Sequence, residues 1–320
     1  MNEFELIQRY FWRQTVVRQD VAIAIGDDAA VIDIPAGYQL VVSTDVLVEG
    51  VHFPSDAAAQ AIGHKALAVN LSDMAAMGAE PAWFTLNLSL PDVDENWLEA
   101  FCRGMFDLAG EYNVQLIGGD TVKGPRTIGI QINGLVPTGQ ALTRSGAASG
   151  DYIYVTGTLG DAALALAHHQ GKLTLTEDEQ QKVSSRLHTP EPRVRIGQGL
   201  RGIANSAIDI SDGLAADLGH ILEMSKVGAR LNMPDIPLSS VYRTHFEVAG
   251  GYATAVGFGD DYELCITVPG DKTDKLESIG LELGCRFYLI GEIESEAGIR
   301  WITADGERWE PPSHGYSHFR

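Results

Sequence analysis

Cysteine is scarce in this chain. Cys102, Cys265 and Cys285 are the only three in 320 residues, they lie far apart, and no Cys-x-x-Cys pair exists. That argues against a disulfide framework or a thiolate metal site, and reduced core thiols are expected instead. Base is scarce too: 23 lysines and arginines face 43 acids, for a net charge of −20. Such a surface argues against nucleic acid or an anionic membrane as the main partner. No apolar run reaches membrane-spanning length, and Met1-Asn2-Glu3-Phe4-Glu5 carries acid where a secretory leader needs base. A cytoplasmic protein is expected.

The common phosphate and nucleophile signatures are also missing. A Walker A loop needs Gly-x-x-x-x-Gly-Lys-Ser/Thr. Gly171-Lys172 is followed by Leu173, and Gly119 to Gly124 has the spacing but runs into Pro125. The dinucleotide fingerprint Gly-x-Gly-x-x-Gly, the Gly-x-Ser-x-Gly elbow and the His-Arg-Asp and Asp-Phe-Gly pair of protein kinases do not occur. Asp209–Gly213 opens like a calcium loop, but His220 stands where position twelve requires glutamate. Histidine gives little more. His168 and His169 are adjacent and cannot share a helix face, and His314 and His318 are separated by Gly315. Core or surface histidines are the better reading.

What is present is a soluble composition, 45% hydrophobic and 21% charged, long enough for two buried cores. Phe4, Ile7, Tyr10 and Phe11 predict an opening amphipathic helix. Residues 38–46 read as a strand, 57–77 as a buried helix with Asn70 and Asp73 on one face, and Trp97 to Leu108 as an amphipathic helix. Val114–Ile117 reads as a short strand running into Gly118-Gly119-Asp120, and Ile128, Ile130 and Ile132 alternate as a half-buried strand should. Residues 137–151 are rich in turn formers and mark a junction, giving domains of 1–147 and 148–320. Beyond it come a strand at 152–156, a helix at 162–169, and a long loop holding Pro190 and Pro192. A strand at 207–210, a helix after Gly213, a strand at 263–268, a helix at 272–283 and a strand at 287–290 complete the pattern. Mixed order in both halves predicts two α/β (α+β) domains.

Six segments put aspartate beside glycine or a small hydroxyl residue. They are Gly26-Asp27-Asp28, Ser43-Thr44-Asp45, Asn70-Leu71-Ser72-Asp73, Gly118-Gly119-Asp120, Asp209-Ile210-Ser211-Asp212-Gly213 and Gly259-Asp260-Asp261-Tyr262-Glu263. Oxygen-only ligands on tight backbone suit hard cations, Mg²⁺ above all. Glycine beside them admits a phosphate close to the backbone. Together they read as a multi-metal site for a phosphorylated nucleotide, a polyanion that an acidic protein could hold only through divalent cations.

These segments resemble bacterial thiamine-monophosphate kinase. The likeness is carried by Ile-Gly-Asp-Asp-Ala-Ala (25–30), Ser-Thr-Asp-Val-Leu-Val-Glu-Gly-Val-His-Phe (43–53) and residues 65–79. It continues through Leu-Ile-Gly-Gly-Asp-Thr (116–121), Leu-Thr-Arg-Ser-Gly-Ala (142–147), Ile-Asp-Ile-Ser-Asp-Gly-Leu (208–214), Asp-Tyr-Glu-Leu-Cys (261–265) and Gly-Tyr-Ser-His-Phe (315–319). The resemblance implies ATP-dependent phosphorylation of thiamine monophosphate to thiamine diphosphate, with several Mg²⁺ ions. It implies the fold shared with aminoimidazole ribonucleotide synthetase, selenophosphate synthetase and a hydrogenase-maturation protein. In that fold the N-terminal domain, here 1–147, binds ATP and Mg²⁺, its sheet pairs across a homodimer, and the active site lies between domains. Position by position, Asp27, Asp28, Thr44, Asp45, Asp73, Asp120, Asp209 and Asp212 are implied as metal ligands, Asp28 ahead of Asp27. Tyr112, Gly119, Asp120, Arg144 and Ser211 are implied as ATP contacts, and His52, Asp260 and Tyr316 as thiamine-phosphate contacts. One position departs: the family has Gly-Gly-Glu-Asp-Tyr where this chain reads Gly257-Phe258-Gly259-Asp260-Asp261-Tyr262. Asp260 keeps the charge on a shorter arm.

Each position also has a plainer reading. Asp27 or Asp28 closes a turn. Ser211 or Asp212 caps the helix near Leu214. Thr44 is a strand hydroxyl, Arg144 a linker surface charge, Tyr316 a packing residue, and Lys65 and Asn70 the polar side of their helix. Among other functions, selenophosphate synthesis would need a reactive cysteine near the N-terminus, and the hydrogenase-maturation relative a C-terminal one. The first cysteine is Cys102 and the chain ends His318-Phe319-Arg320. The ring-closing synthetase fits the 43–53 and 209–213 segments less well than the kinase, and a non-enzymatic nucleotide or metal sensor ranks last. No general base is assigned.

Overall fold

A computed structural model of the chain describes residues 3–12, 16–312, 315 and 316, with Glu3 and Phe4 as backbone only. The side chain of Phe4, the His314/His318 pair and residues 317–319 of the closing segment lie outside the described residues. The chain divides into two compact units, Met1–Met74 with Ala79–Gly139, and Ala75–Gly78 with Gln140–Arg320. Both mix strands and helices, and among the described residues no helix is long and apolar enough to cross a membrane.

The first unit opens with α1 (Glu3–Leu6), which continues as a wider π-helical turn through Phe11. A ribbon follows, β1 (Val21–Ile23) paired antiparallel with β2 (Val31–Ile32). Four strands then form one sheet in the order β3 (Tyr38–Val48), β6 (Thr127–Pro137), β4 (Glu80–Leu90), β5 (Gln115–Lys123). β3–β6 and β6–β4 are antiparallel and β4–β5 is parallel. Between the strands run α2 (Ala59–Ala76) and α3 (Glu95–Tyr112), the latter capped by Asp94, which accepts from Asn96 and Trp97 N–H. Leu67, Leu71, Leu98, Phe101 and Met105 are fully buried, as are Ile128, Ile130 and Ile132 at the alternate positions of β6. On α2 even Asn70, Ser72 and Lys65 are buried, so they are no solvated polar side of that helix.

A small second cluster unites Ala82, Trp83, Ile117 and Leu135 of the sheet with Val21, Ala30 and Ile32 of the ribbon. This apolar contact pins the ribbon to the sheet, and so fixes the loop that carries Asp27 and Asp28. β5 also differs from the expected short strand, because it continues through Gly118-Gly119-Asp120 to Lys123. Phe84 faces Leu116 while Thr85 faces Gly118, so Ile117 is an extra residue, a bulge of the kind that re-aims neighbouring side chains.

The second unit holds a seven-stranded sheet in the order β13-β12-β9-β11-β7-β10-β8. The strands are β7 (Tyr152–Val155), β8 (Ser206–Asp209), β9 (Gly228–Asn232), β10 (Leu264–Val268), β11 (Tyr288–Glu294), β12 (Gly298–Ile302) and β13 (Arg308–Trp309). Only β12–β9 is parallel. Seven helices accompany it among the described residues: α4 (Asp161–His169), α5 (Glu177–His188), α6 (Val194–Gly199), α7 (Leu214–Ser225), α8 (Ser240–Thr244), α9 (Gly251–Gly257) and α10 (Thr273–Leu283). One contiguous core runs from Ile153 and Val155 through Leu214, Leu218 and Ile221 to Trp301. α5 and α6 lie where sequence reasoning expected only a long loop. Of α5 only Val183 and Leu187 are buried, too few to make an apolar stripe. Its start is nonetheless written in the chain as a capping box between Thr176 and Glu179.

Candidate active site

In the first unit a cavity of about 470 Å³ opens between the ribbon loop and the middle of β5. Its lining includes Trp12, Asp27, Asp28, Gly118, Gly119 and Asp120. Three acids from segments 90 residues apart in sequence thus share one wall. Gly119 has φ 148°, and a Cβ there would fall 1.8 Å from the Leu86 carbonyl oxygen, so only glycine fits. Asp27 Oδ1 accepts the N–H of Asp28 at 2.9 Å and closes that turn; Asp120 Oδ1 accepts from Thr121 N–H at 2.8 Å. Tyr112 ends α3 and is not among the cavity-lining residues.

The pleat of β3 sorts its candidates. Ser43 and Asp45 point to one face, where the Ser43 hydroxyl donates to Asp73 Oδ2 of α2 at 2.5 Å. Thr44 points to the other face and donates to the Ile130 carbonyl at 3.1 Å, the plain strand-hydroxyl arrangement. Its side chain is therefore separated from Asp45 and Asp73. His52 follows β3 in a tight turn and accepts the Val48 N–H at Nδ1, 3.0 Å. The neutral ring then carries its proton on Nε2. Buried Lys65 donates to the His52 carbonyl at 3.3 Å and holds that turn.

In the second unit three distant segments are stitched together by backbone. Asp260 N–H donates to the Ser211 carbonyl (2.9 Å), Tyr262 N–H to that of Ile210 (2.8 Å) and Tyr316 N–H to that of Asp212 (3.1 Å). Gly259 permits the approach, since a Cβ there would lie 1.9 Å from the Ser211 carbonyl oxygen. Asp209, Ser211, Asp212, Asp260 and Tyr316 are thereby gathered on one loop cluster. Neither Ser211 nor Asp212 caps α7. The N-cap is Gly213, without a side-chain bond, and Asp217 reaches back to accept from Asp212 and Gly213 N–H at 3.1 and 3.0 Å. Sequence reasoning passed over Asp217, whose only signal is an acid in the first helical turn. Burial, with the charges of Asp209 and Asp212 beside it, pushes its carboxyl up to about 8, outweighing the two amide donors.

Two further acids of the 259–263 segment turn inward. Asp261 accepts from Gly160 N–H at 3.0 Å, and burial pushes its carboxyl well up despite the nearby Arg186. Glu263 is clamped by Arg186, Arg193 and Thr156. Arg144 is exposed, and its segment is tied down through the Ser225 hydroxyl, which donates to the Arg144 carbonyl at 3.3 Å. Ser225 ends α7 and Ser211 precedes its start, and 12 residues of helix span about 18 Å.

Among the described residues no three His, Cys, Asp or Glu side chains stand as a ready metal cage. The donors nonetheless fit Mg²⁺, for they are carboxylates and hydroxyls only.

The family models described as AIR synthase related protein, N-terminal domain and C-terminal domain, match residues 26–136 and 148–302. The thiamine-monophosphate kinase of Escherichia coli (strain K12) is 48% identical over 99% of this chain and 98% of its own. The crystal structure of thiamine-monophosphate kinase from Stenotrophomonas maltophilia K279a superposes with a TM-score of 0.85 at 44% identity, covering 91% and 93% of the two chains. A protein called AaThiL, solved in complex with AMPPCP and TMP, follows at TM-score 0.79 and 31% identity, covering 92% of each.

Proposed function

This chain belongs to the thiamine-monophosphate kinase family, and on that basis we propose that it transfers the γ-phosphoryl group of ATP directly to thiamine monophosphate, making thiamine diphosphate. The observation that carries the proposal is the cavity of about 470 Å³, where Asp27, Asp28 and Asp120 meet the bare backbone of Gly118 and Gly119. Its size falls in the range of roughly 300–1,000 Å³ usual for small-molecule sites. Asp28, Asp45, Asp73 and Asp120 in the first unit, and Asp209 and Asp212 in the second, are the residues proposed to hold several Mg²⁺ ions. Mg²⁺ held by these residues would supply the positive charge that offsets the phosphates during in-line transfer. Gly119 offers backbone to phosphate, while Asp260 and Tyr316 contact the thiamine moiety. Purified protein with ATP, Mg²⁺ and thiamine monophosphate should form thiamine diphosphate; ATP binding with no such product would favour a sensor and refute the proposal.

His52 is assigned to the substrate phosphate. The acceptor is itself a phosphate oxygen, whose second proton leaves near pH 6 unaided, roughly a unit below neutrality. No carboxylate base is needed, unlike for a hydroxyl acceptor. With Nδ1 taken by Val48 N–H, the ring offers an N–H and no basic lone pair on Nε2. His52→Asn should raise KM for thiamine monophosphate about tenfold with little change in kcat. A kcat loss of roughly 10²–10⁴ at constant KM would instead mark a proton relay.

A homodimer is proposed as well. β3 is the edge of its sheet, and Tyr38, Leu40, Val42 and Val46 leave an apolar stripe exposed along it. A long apolar edge invites a second strand. Light scattering at micromolar concentration should give twice the chain mass of 34.5 kDa, and a monomer mass would remove the proposal.

A further inference from the structure

The backbone at residues 260–262 is unusual. Asp260 has φ 65° and Tyr262 φ 50°, both in the left-handed region that side-chain-bearing residues avoid. Between them Asp261 turns inward onto Gly160 N–H. In an extended strand the side chains of residues 260 and 262 would share a face, with their Cα atoms about 7 Å apart. Here both residues are left-handed, and the Tyr262 hydroxyl donates to Asp260 Oδ1 at 2.8 Å. The ring is buried, 8% exposed, so the phenol is held in one orientation. The N–H groups of both residues are bonded to the carbonyls of Ser211 and Ile210, which fixes the pair against the Asp209–Gly213 loop.

We propose that Tyr262 is the positioning residue that makes Asp260 the recognition group for the cationic ring system of the substrate; this rests on the function proposed above. An aspartate on a surface loop otherwise samples several rotamers, and ordering it on binding costs affinity. Tyr262 removes that freedom beforehand by fixing one carboxylate oxygen.

The test is a double-mutant cycle in steady-state kinetics, with thiamine monophosphate and ATP varied separately. Wild-type turnover is the control: no thiamine diphosphate from wild type refutes the proposed function itself. Given turnover, Tyr262→Phe should raise KM for thiamine monophosphate about tenfold, the loss of one hydrogen bond to a charged group. Its kcat and KM for ATP should stay within about twofold. In an Asp260→Asn background the same substitution should add little, since the charge it positions is gone. An equal effect in both backgrounds, or parallel losses for both substrates, would make Tyr262 a merely structural residue and overturn the inference. If Tyr262→Phe does not fold, Asp260→Glu reads the contact from the other side. It should alter KM for thiamine monophosphate by about two- to fivefold with kcat kept. An unchanged KM or a collapsed kcat would overturn the inference.

Discussion

Asp120→Asn should lower kcat/KM for thiamine monophosphate by roughly 10²–10³, the usual loss when one charge-stabilising group is removed from a transition state. The substitution isolates charge from structure. Asp120 Oδ1 accepts the Thr121 N–H, and an asparagine oxygen accepts the same bond, so the local backbone of β5 survives. What disappears is one of three negative charges around the cavity that also holds Asp27 and Asp28. A polyanionic substrate pair meets an acidic wall only through divalent cations, so one fewer carboxylate should appear first as a weaker apparent affinity for Mg²⁺. Asp73→Asn should behave alike, because the Ser43 hydroxyl can donate to an amide oxygen as well as to a carboxylate. Mg²⁺ titration of the initial rate reads both variants. Near-normal turnover at moderate Mg²⁺ for either would show that it holds no metal.

Glu263→Gln should destabilise the protein by roughly 3–5 kcal/mol, the cost of breaking a buried ion pair while leaving its partners in place. Glu263 is fully buried, with Oε1 at 2.5 Å from Arg186 Nη2 and 2.7 Å from Arg193 Nη2. Oε2 lies 2.8 Å from Arg193 Nε and 2.7 Å from the Thr156 hydroxyl. Neutralising it removes the one buried charge that both guanidinium groups share. A Tm fall of about 10 °C or more at pH 7 is expected by circular dichroism. The pH dependence gives a second reading. Burial by itself would raise the Glu263 carboxyl, but the hydrogen bond from Arg193 and the charges of Arg186 and Arg193 outweigh it and hold the group below its ordinary value. A carboxylate depressed in the folded state stabilises above its unfolded pKa of about 4.3. That contribution is lost as pH falls through the lower, folded value. The gap between wild type and Glu263→Gln should therefore be full at pH 7 and shrink under acid. A gap below about 2 °C at pH 7, or one unchanged in acid, would show that the clamp adds nothing.

Much of the site was legible one residue at a time. The aspartates beside glycine were visible, and the structure brings Asp27, Asp28, Gly119 and Asp120 from two of those segments to one cavity wall. The face of Thr44 was legible in principle from the alternation of β3, because Ser43 and Asp45 must point away from it. The roles of Asp261 and Glu263 were not. In sequence they sit inside the same acidic run as Asp260, and nothing local says that alternate residues turn inward to Gly160 and two arginines. Asp217 and Tyr262 were missed for the same reason: each acts through a bond that exists only once the loop has its left-handed or helical geometry.

By itself, the sequence determined the elements whose own residues carry the signal. The apolar stripe of α3, the isoleucine alternation of β6 and the acidic turns are periodic or local, and periodicity survives without tertiary context. It also determined the family, because whole segments such as 43–53 and 208–214 are long enough to be characteristic. Only tertiary structure decided which acids are ligand candidates and which are core. A carboxylate's role depends on whether amides, arginines or solvent surround it, and those neighbours arrive from far along the chain, as Gly160 does for Asp261, 101 residues away, and Arg186 for Glu263, 77 away. α5 shows the same limit from the other side: with only Val183 and Leu187 buried, its helicity rests on a cap and on packing that sequence periodicity does not record.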